Sequence, residues 1–120
     1  MKILVADDSK AMRMIVLRTL RQAGIRPSAV CEAEDGADAL EKVASFNPDV
    51  ILSDWNMPNM SGIEFLEALR ESGNRTPFGF VTSETTATMR ERAIAAGAAF
   101  MIAKPFSPEQ FEDVFSGLVK

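Results

Sequence analysis

The stretch LSDWNMPNMSG, residues 52–62, decides how this chain folds. It begins inside an apolar run and places Asp54 at the point where a buried strand should end. A second apolar run, ILV at residues 3–5, also ends on carboxylates, those of Asp7 and Asp8. Two core strands that both end on acidic residues indicate that these carboxylates have a role at one edge of the sheet.

Apolar runs of strand length alternate with helical periodicity along the whole chain. Strands are predicted at Lys2–Ala6, Ser28–Ala33, Asp49–Ser53, Pro77–Thr82 and Phe100–Ala103. Helices are predicted at Lys10–Ala23, Ala37–Phe46, Ile63–Ser72, Thr86–Ala96 and Pro108–Val119. Short connections between continuous apolar strands predict an α/β fold, in which an open, doubly wound parallel sheet carries five helices on its two faces. Five pairs are too few for an eight-stranded barrel.

Two helices have features that specify their packing or their ends. The first helix should bury a face that recurs at helical spacing: Met12, Ile15, Val16 and Leu20. The last helix has Ser107 as its predicted N-cap, and Gln110 should complete a capping box.

The composition bounds the class of protein. The 120 residues fit a single domain over 1–120, and no output domain is expected because the last helix reaches the end of the sequence. The net charge of −4 argues against nucleic acid as a partner, which needs a basic face. No apolar run approaches the roughly 18 residues of a membrane span, so a cytoplasmic protein without a membrane partner is expected.

The single cysteine and the lack of histidine limit the redox and metal chemistry. Cys31 has no partner for an intramolecular disulfide, and its place in a short strand predicts a buried structural thiol. A zinc site is not expected from one cysteine and no histidine.

Three carboxylates should meet if the first and third strands are neighbours, since ligands in such sheets bind beyond the carboxyl ends of the strands. Two unit charges about 4 Å apart repel by roughly 1 kcal/mol in water and about 4 kcal/mol at an effective dielectric of 20. Capping a helix is the plainer role for any one acid. The pair Asp7 and Asp8 with Asp54 at matching strand ends favours a cation site, and hard carboxylate oxygens suit Mg²⁺.

The fourth and fifth strands end on a hydroxyl and an ammonium group, those of Thr82 and Lys104. A metal ion, a carboxylate, a hydroxyl donor and a cation together suit a phosphoryl group. Mg²⁺ and Lys104 would neutralise its oxygens, Thr82 would donate to one of them, and Asp54 would be the covalent acceptor.

These elements in register resemble the receiver domain of response regulators. The resemblance rests on "DD" after the first strand, "D" after the third, "T" after the fourth and "KPF" after the fifth. The stretches "DDSKAMR", "EAEDGADAL" and "SDWNMPNMSG" are similar to the stand-alone chemotaxis receivers in particular. The resemblance covers the whole chain and implies a flavodoxin-like sheet with strand order 2-1-3-4-5.

The resemblance also implies roles for individual residues. Asp54 would be the phosphoacceptor and, with Asp8, a side-chain ligand of Mg²⁺. Asn56 would bind the metal through its backbone carbonyl, and Asp7 mainly through bound water. Lys104 would contact the phosphoryl group, and its bond to Pro105 would be cis.

Other residues would regulate the lifetime and the readout of the phosphoryl group. Thr82 would move toward it and signal to the opposite face, while Asn56 and Glu84 would tune the water that hydrolyses the aspartyl phosphate. The family commonly has an aromatic switch residue where this chain has Met101, and Phe100 should face the other side of the strand. The last helix is acidic at Glu109, Glu112 and Asp113, unlike the lysine-bearing helix of chemotaxis receivers.

The sequence therefore predicts a single-domain response regulator of two-component, chemotaxis-type signalling. A histidine kinase would be its phosphodonor, and a protein target would bind the fourth helix, fifth strand and fifth helix. A phosphatase is a possible further partner, and the chain is expected to be a monomer. It would catalyse only its own phosphoryl transfer and autodephosphorylation, and so would not be an enzyme with an external substrate.

Two alternatives stay open at this point. A Mg²⁺ phosphohydrolase with an aspartyl intermediate would want a second acid two residues after the nucleophile, where this chain has Asn56. An FMN carrier of flavodoxin type would want a Ser/Thr/Gly-rich phosphate loop after the first strand, where this chain is acidic.

Overall fold

The computed structural model of the chain describes residues 1–118. Its strands are β1 Lys2–Ala6, β2 Ala29–Ala33, β3 Val50–Ser53, β4 Phe78–Thr82 and β5 Phe100–Ala103. Its helices are α1 Lys10–Gln22, α2 Gly36–Phe46, α3 Gly62–Glu71, α4 Ala87–Ala95 and α5 Pro108–Leu118. The predicted element order is confirmed, and the predicted end of the last helix, Val119, lies outside the described residues.

The five strands form one parallel sheet in the order β2-β1-β3-β4-β5, as predicted. β1 and β3 are neighbours in the register Ile3↔Val50 to Ala6↔Ser53. The loops that follow these two strands therefore leave the sheet side by side. Among the described residues, no helix is long and apolar enough to cross a membrane.

Helix ends differ from the sequence-based bounds by a residue because capping residues sit outside the helix. Thr86, predicted as the first residue of the fourth helix, is extended and accepts the Met89 N–H at 3.2 Å, so it is the N-cap. α3 begins one residue early, after a full capping box between Ser61 and Glu64. The box predicted at α5 is only half formed, since Gln110 accepts the Ser107 N–H at 2.8 Å but donates its own N–H to the Ser107 carbonyl.

The two faces of the sheet carry separate apolar cores. One packs β-sheet residues against α2, α3 and α4 and includes the edge-to-face pairs of Phe78 with Phe65 and Phe80. The other packs the sheet against α1 and α5 around Phe111 and Phe115. Each fully buried Phe side chain contributes about 1.5–3 kcal/mol of transfer free energy to folding.

The burial seen in the structure agrees with one sequence-based expectation and differs from two. Cys31 is only partly buried against the first core, because β2 is an edge strand, so the prediction of a buried thiol is wrong. Ile15 is 40% exposed, whereas the predicted face is otherwise buried or half-buried. Phe100 and Met101 do face opposite cores, as strand alternation requires.

Asp35 ties the loop before α2 to the loop before α3. Its carboxylate accepts the Asp38 N–H at 2.7 Å and the Asn59 side-chain amide at 2.8 Å. These hydrogen bonds, the backbone one first, hold the pKa of Asp35 below its usual value. The carboxylate form is therefore the one that stabilises the fold.

We expect Asp35→Ala to lower the free energy of unfolding by about 1 kcal/mol at pH 7, the usual cost of losing an N-cap. Because the folded-state pKa is lowered, this contribution is present above the unfolded value of roughly 3.9 and is lost as the pH falls through the folded value. Urea unfolding at pH 7 and pH 3 measures the difference. Exposed Glu41 on the same helix supplies the control, Glu41→Ala. A loss for Asp35→Ala that is as large at pH 3 as at pH 7 would contradict this assignment.

Candidate functional site

The residues that follow β1 and β3 are held in place by extensions of the sheet ladder. The Asp7 N–H donates to the Ala33 carbonyl at 3.0 Å, and the Asp54 N–H donates to the Ala6 carbonyl at 2.9 Å. Each acidic residue therefore sits one step beyond its strand with its backbone still bonded to the neighbouring strand. This fixes where the carboxylates can reach.

The structure brings Asp7, Asp8 and Asp54 together, with carboxylate oxygens that all lie within 4.8 Å of one another. Asp7 is buried, Asp54 is half-buried and Asp8 is exposed. Three hard oxygen donors with one open side are a donor set that fits Mg²⁺, which usually keeps several of its waters. The side chains of Asp8 and Asp54 are the accessible pair in this group.

Lys104 supplies the positive charge inside the cluster. Its Nζ lies 3.1 Å from Asp7 Oδ2 and 3.5 Å from Asp54 Oδ2. Its backbone N–H donates to the Thr82 carbonyl at 2.9 Å, which locks the loop after β5 to the end of β4. The Lys104–Pro105 bond is cis. The ammonium group thus bridges two carboxylates and favours Asp7.

Thr82 reaches the same place from β4. Its side chain is fully buried, and its Oγ1 has no hydrogen-bond partner among the residues the structure describes. The Thr82 hydroxyl also lowers the pKa of Asp54, against the larger effect of burial, which raises it. A buried hydroxyl without a partner is uncommon and marks a donor that another state or a ligand can use.

The electrostatics around Asp54 work against its ionised form. Burial raises the pKa of Asp54 above its usual value, and Asp7 raises it further, while Lys104 and the Trp55 N–H, 2.7 Å from Oδ1, oppose the shift. A divalent cation would reverse this balance, because it becomes the largest local charge.

Asn56 and Glu84 lie in loops that leave the carboxyl end of the sheet. Both side chains are exposed, Asn56 in the loop after β3 and Glu84 in the loop between β4 and α4. The carboxylate group that could hold a metal in the described residues consists of the three aspartates without Glu84. The predicted roles of the Asn56 backbone carbonyl and of the two side chains stay predictions.

Sequence reasoning missed the residues that fix Asp7. The Ser9 N–H donates to Asp7 Oδ1 at 2.9 Å, and the Arg13 guanidinium donates to the Asp7 backbone carbonyl at 2.6 Å and to Glu32 at 2.9 Å. Arg13 lies one turn after Ser9, the N-cap of α1, and this helical spacing is the signal that could have found it.

Gly62, the first residue of α3, packs directly against the backbone of Asp54. Its N–H donates to the Trp55 carbonyl at 2.8 Å. A Cβ at this position would collide with the Asp54 carbonyl oxygen and lie 3.0 Å from the Phe80 ring. The acidic loop can therefore close onto α3 only because residue 62 has no side chain.

Gly62→Ala should lower the free energy of unfolding by about 1–3 kcal/mol, the usual cost of overpacking, and should displace Asp54. Urea unfolding monitored by Trp55 fluorescence measures the loss. Gly117 provides the matched control, since a Cβ there meets nothing within 4 Å. Gly117→Ala in α5 should instead stabilise by about 0.5–1 kcal/mol through its helix preference. Equal effects at the two glycines would contradict the close contact at Asp54.

Known proteins resemble this chain over nearly its whole length. The family model described as the response regulator receiver domain matches residues 3–116. The chemotaxis protein CheY of Pseudomonas aeruginosa is 39% identical over 121 residues, which cover 96% of each chain. CheY1 of Helicobacter pylori is 36% identical over 94% of this chain and 92% of its own. Among solved structures, CheY4 of Vibrio cholerae has a TM-score of 0.85 and 38% identity and covers 98% of both chains.

Proposed function

The chain belongs to the family of response regulator receiver domains, and we propose that it works as a single-domain, chemotaxis-type regulator that Asp54 phosphorylation switches. The match to 96% of the length of the P. aeruginosa chemotaxis protein supports the single-domain part of the proposal. The observation that carries the phosphorylation part is the convergence of three carboxylates, Lys104 and a buried, unpartnered Thr82 hydroxyl at one edge of the sheet.

Asp54 is the nucleophile in this proposal. One of its carboxylate oxygens attacks the phosphorus of a phosphohistidine on the kinase; the new O–P bond forms as the P–N bond breaks, and the electron pair stays with the imidazole. Asp54 is half-buried at the mouth of the cluster, so the donor can approach from solvent. Asp7 stays behind it, held by Ser9 and Lys104.

Mg²⁺ would be held by the side chains of Asp8 and Asp54, the backbone carbonyl of Asn56 and, mainly through water, Asp7. When bound it supplies charge neutralisation for the phosphoryl oxygens. Lys104 provides the protein's own cation, already 3.5 Å from Asp54. Thr82 provides a hydroxyl donor for one oxygen of the phosphoryl group. A carboxylate has no such donor, and Thr82 Oγ1 has no other partner among the described residues.

The lifetime of the phosphoryl group would be set at the rim of the site. Asn56 and Glu84 are exposed there, where they can contact the water that attacks the aspartyl phosphate. No external substrate is turned over in this scheme. The chain catalyses only the gain and the loss of its own phosphoryl group.

The target would bind the surface formed by α4, β5 and α5. An open groove of about 170 Å³ there is lined by Arg90, Ile94, Phe100 and Met101 with three alanines, and Ile94 is 73% exposed. The acidic residues Glu109, Glu112 and Asp113 are exposed on α5. These acids favour a target with a basic binding segment.

The proposal is tested by incubating the purified protein with Mg²⁺ and acetyl phosphate. We expect the intact protein to gain the mass of one phosphoryl group per chain, and to lose it again after the donor is removed. Omission of Mg²⁺, or its chelation, should prevent the gain. A protein that gains no mass under these conditions, or gains it equally without Mg²⁺, does not work in this way.

Thr82 should carry the switch and Met101 should contribute little, on the order of 1 kcal/mol or less. Methionine is flexible and fills gaps in many rotamers, so it distinguishes two states less sharply than a rigid ring. A phosphate mimic such as beryllofluoride should shift amide resonances along α4 and β5 in the wild type. Thr82→Ala should remove most of these shifts, while Met101→Ala should keep them.

The reverse result, in which Met101→Ala erases the shifts and Thr82→Ala preserves them, would overturn this assignment of the switch. Ile102→Val serves as a control on the same strand, because Ile102 is buried in the other core and does not line the groove of the α4–β5–α5 surface. It should alter the resonances of α5 without changing the response of α4.

A further inference from the structure

A second open groove lies between α1 and the edge strand β2. It encloses about 320 Å³ and is lined by Leu17, Arg21, Arg26, Pro27 and Val30; we call it the α1–β2 groove. The Ser28 N–H donates to the Met1 carbonyl at 2.8 Å, so β2 begins beside the start of β1. The groove is therefore at the amino end of the sheet, away from the acidic cluster around Asp54.

The charge around this groove is opposite to that of the chain as a whole. Residues 9–31 contain five of the 13 basic residues and none of the 17 acidic ones. Arg13 is neutralised by Glu32 at 2.9 Å, at the other end of the same α1–β2 contact. Arg21 and Arg26 make no ion pair with any carboxylate of the described residues. Within residues 1–118, two guanidinium groups at the groove thus lack an acidic partner.

Apolar side chains are exposed at the same place. Val30 is 39% exposed at the sheet edge, and the lining residues Leu17 and Pro27 are half-buried. A single exposed apolar residue is ordinary. Here the apolar residues line a groove that also carries two guanidinium groups without an ion pair among the described residues. The lining therefore suits a ligand with both acidic and apolar groups.

The backbone of β2 has no neighbouring strand on its outer side, because β2 is an edge strand of the sheet. The Glu32 carbonyl points outward and accepts a hydrogen bond from Lys42 Nζ at 2.7 Å. Backbone groups alternate along a strand, so the N–H and carbonyl of Val30, two residues earlier, point the same way. Val30 has a donor and an acceptor available next to the groove.

From these observations we propose that the α1–β2 groove binds an extended acidic segment of a partner protein. The segment lies beside β2 and hydrogen-bonds Val30, its carboxylates pair with Arg21 and Arg26, and an apolar side chain enters against Leu17 and Pro27. Strand addition at a sheet edge takes its affinity from such backbone bonds and its specificity from alternate side chains. The apolar lining and the strand edge favour a polypeptide over a nucleic acid backbone.

This surface is separate from the phosphoryl site and from the α4–β5–α5 face. The partner should therefore bind the phosphorylated and the unphosphorylated protein equally. A receiver that is tethered in this way stays at a fixed place in the cell while its other face switches. The inference stands whether or not Asp54 is the phosphoacceptor.

The test uses a blocked peptide of alternating valine and glutamate, six residues long, titrated into the full chain at physiological salt. We expect saturable amide shifts at Leu17, Arg26 and Val30 below millimolar peptide, unchanged by beryllofluoride. Arg21→Glu should weaken binding at least about 10-fold through like-charge repulsion. Lys10→Glu, at the start of the same helix and about 16 Å from Arg21 along its axis, should change it by less than about twofold, because this distance exceeds the Debye length of about 8 Å.

Four outcomes would overturn the proposal. The first is no saturable shift up to millimolar peptide. The second is equal binding of a valine–lysine peptide, and the third is equal weakening by Lys10→Glu and Arg21→Glu. The fourth is tighter binding of a single-stranded oligonucleotide of the same charge, which would assign the patch to nucleic acid instead.

Discussion

Asp54→Asn should reduce phosphorylation by acetyl phosphate and Mg²⁺ at least about 1,000-fold, as is typical when a covalent nucleophile is lost. The amide keeps the size of the side chain and the Trp55 N–H contact but has no anionic oxygen to attack phosphorus. Asp7 cannot replace it, because Asp7 is buried and held by Lys104 at 3.1 Å. Asp8 is exposed, but it follows β1 whereas Asp54 follows β3, and it is expected to bind the metal. Intact-protein mass spectrometry over time measures the rate.

The matched control is Asp49→Asn, which alters the residue just before β3, at the opposite end of that strand. Asp49 is exposed and accepts the Lys2 N–H at 2.7 Å, far from the acidic cluster. Its variant should be phosphorylated at the wild-type rate. If Asp54→Asn gains phosphate as fast as the wild type, another residue is the acceptor and the assignment fails.

Mg²⁺ should stabilise the folded protein by about 2.7 kcal/mol at a concentration 100 times its dissociation constant, provided that the unfolded chain does not bind it. For a chain of this size that corresponds to a rise of roughly 10 °C in the melting temperature. The physical reason is relief of repulsion among carboxylates that lie within 4.8 Å of one another. Thermal unfolding with and without Mg²⁺, at constant ionic strength, measures the effect.

Asp8→Ala should abolish most of this rise, because it removes the exposed ligand, and should itself stabilise the metal-free protein slightly. Glu34→Ala is the control, since Glu34 is an exposed acid beyond the carboxyl end of neighbouring β2. It should leave the Mg²⁺ effect intact. Trp55, the only tryptophan, adjoins Asp54, so its fluorescence should report the same binding. A full Mg²⁺ effect in Asp8→Ala would rule out the proposed ligand set.

The fold could be predicted because local patterns and the sheet topology agree. Continuous apolar runs and helical periodicity gave elements whose observed bounds differ mainly where a cap sits outside the helix, as at Thr86. The prediction of Ile15 as a buried position was wrong because a helix on one face of a sheet buries a narrower stripe than the apolar residues it carries. The burial of Cys31 was overestimated because the sequence of β2 does not show that this strand lies at the edge of the sheet.

The acidic cluster was predictable for a different reason. Parallel strands end at one edge, so carboxylates that follow two neighbouring strands must meet, and strand order is the only further information needed. The positions of Asn56 and Glu84 were predictable only as loop positions. Both side chains are exposed in the loops that follow β3 and β4.

The sequence by itself determined which groups reach the carboxyl edge of the sheet: three carboxylates, a hydroxyl and an ammonium group, each following a strand. Only the tertiary structure decided which of these groups contact one another and at what distance. It places Lys104 closer to Asp7 than to Asp54, leaves Thr82 Oγ1 without a partner, and brings Arg13 onto the Asp7 carbonyl. The two Lys104 distances differ by less than an ångström, and packing fixes such differences whereas periodicity does not.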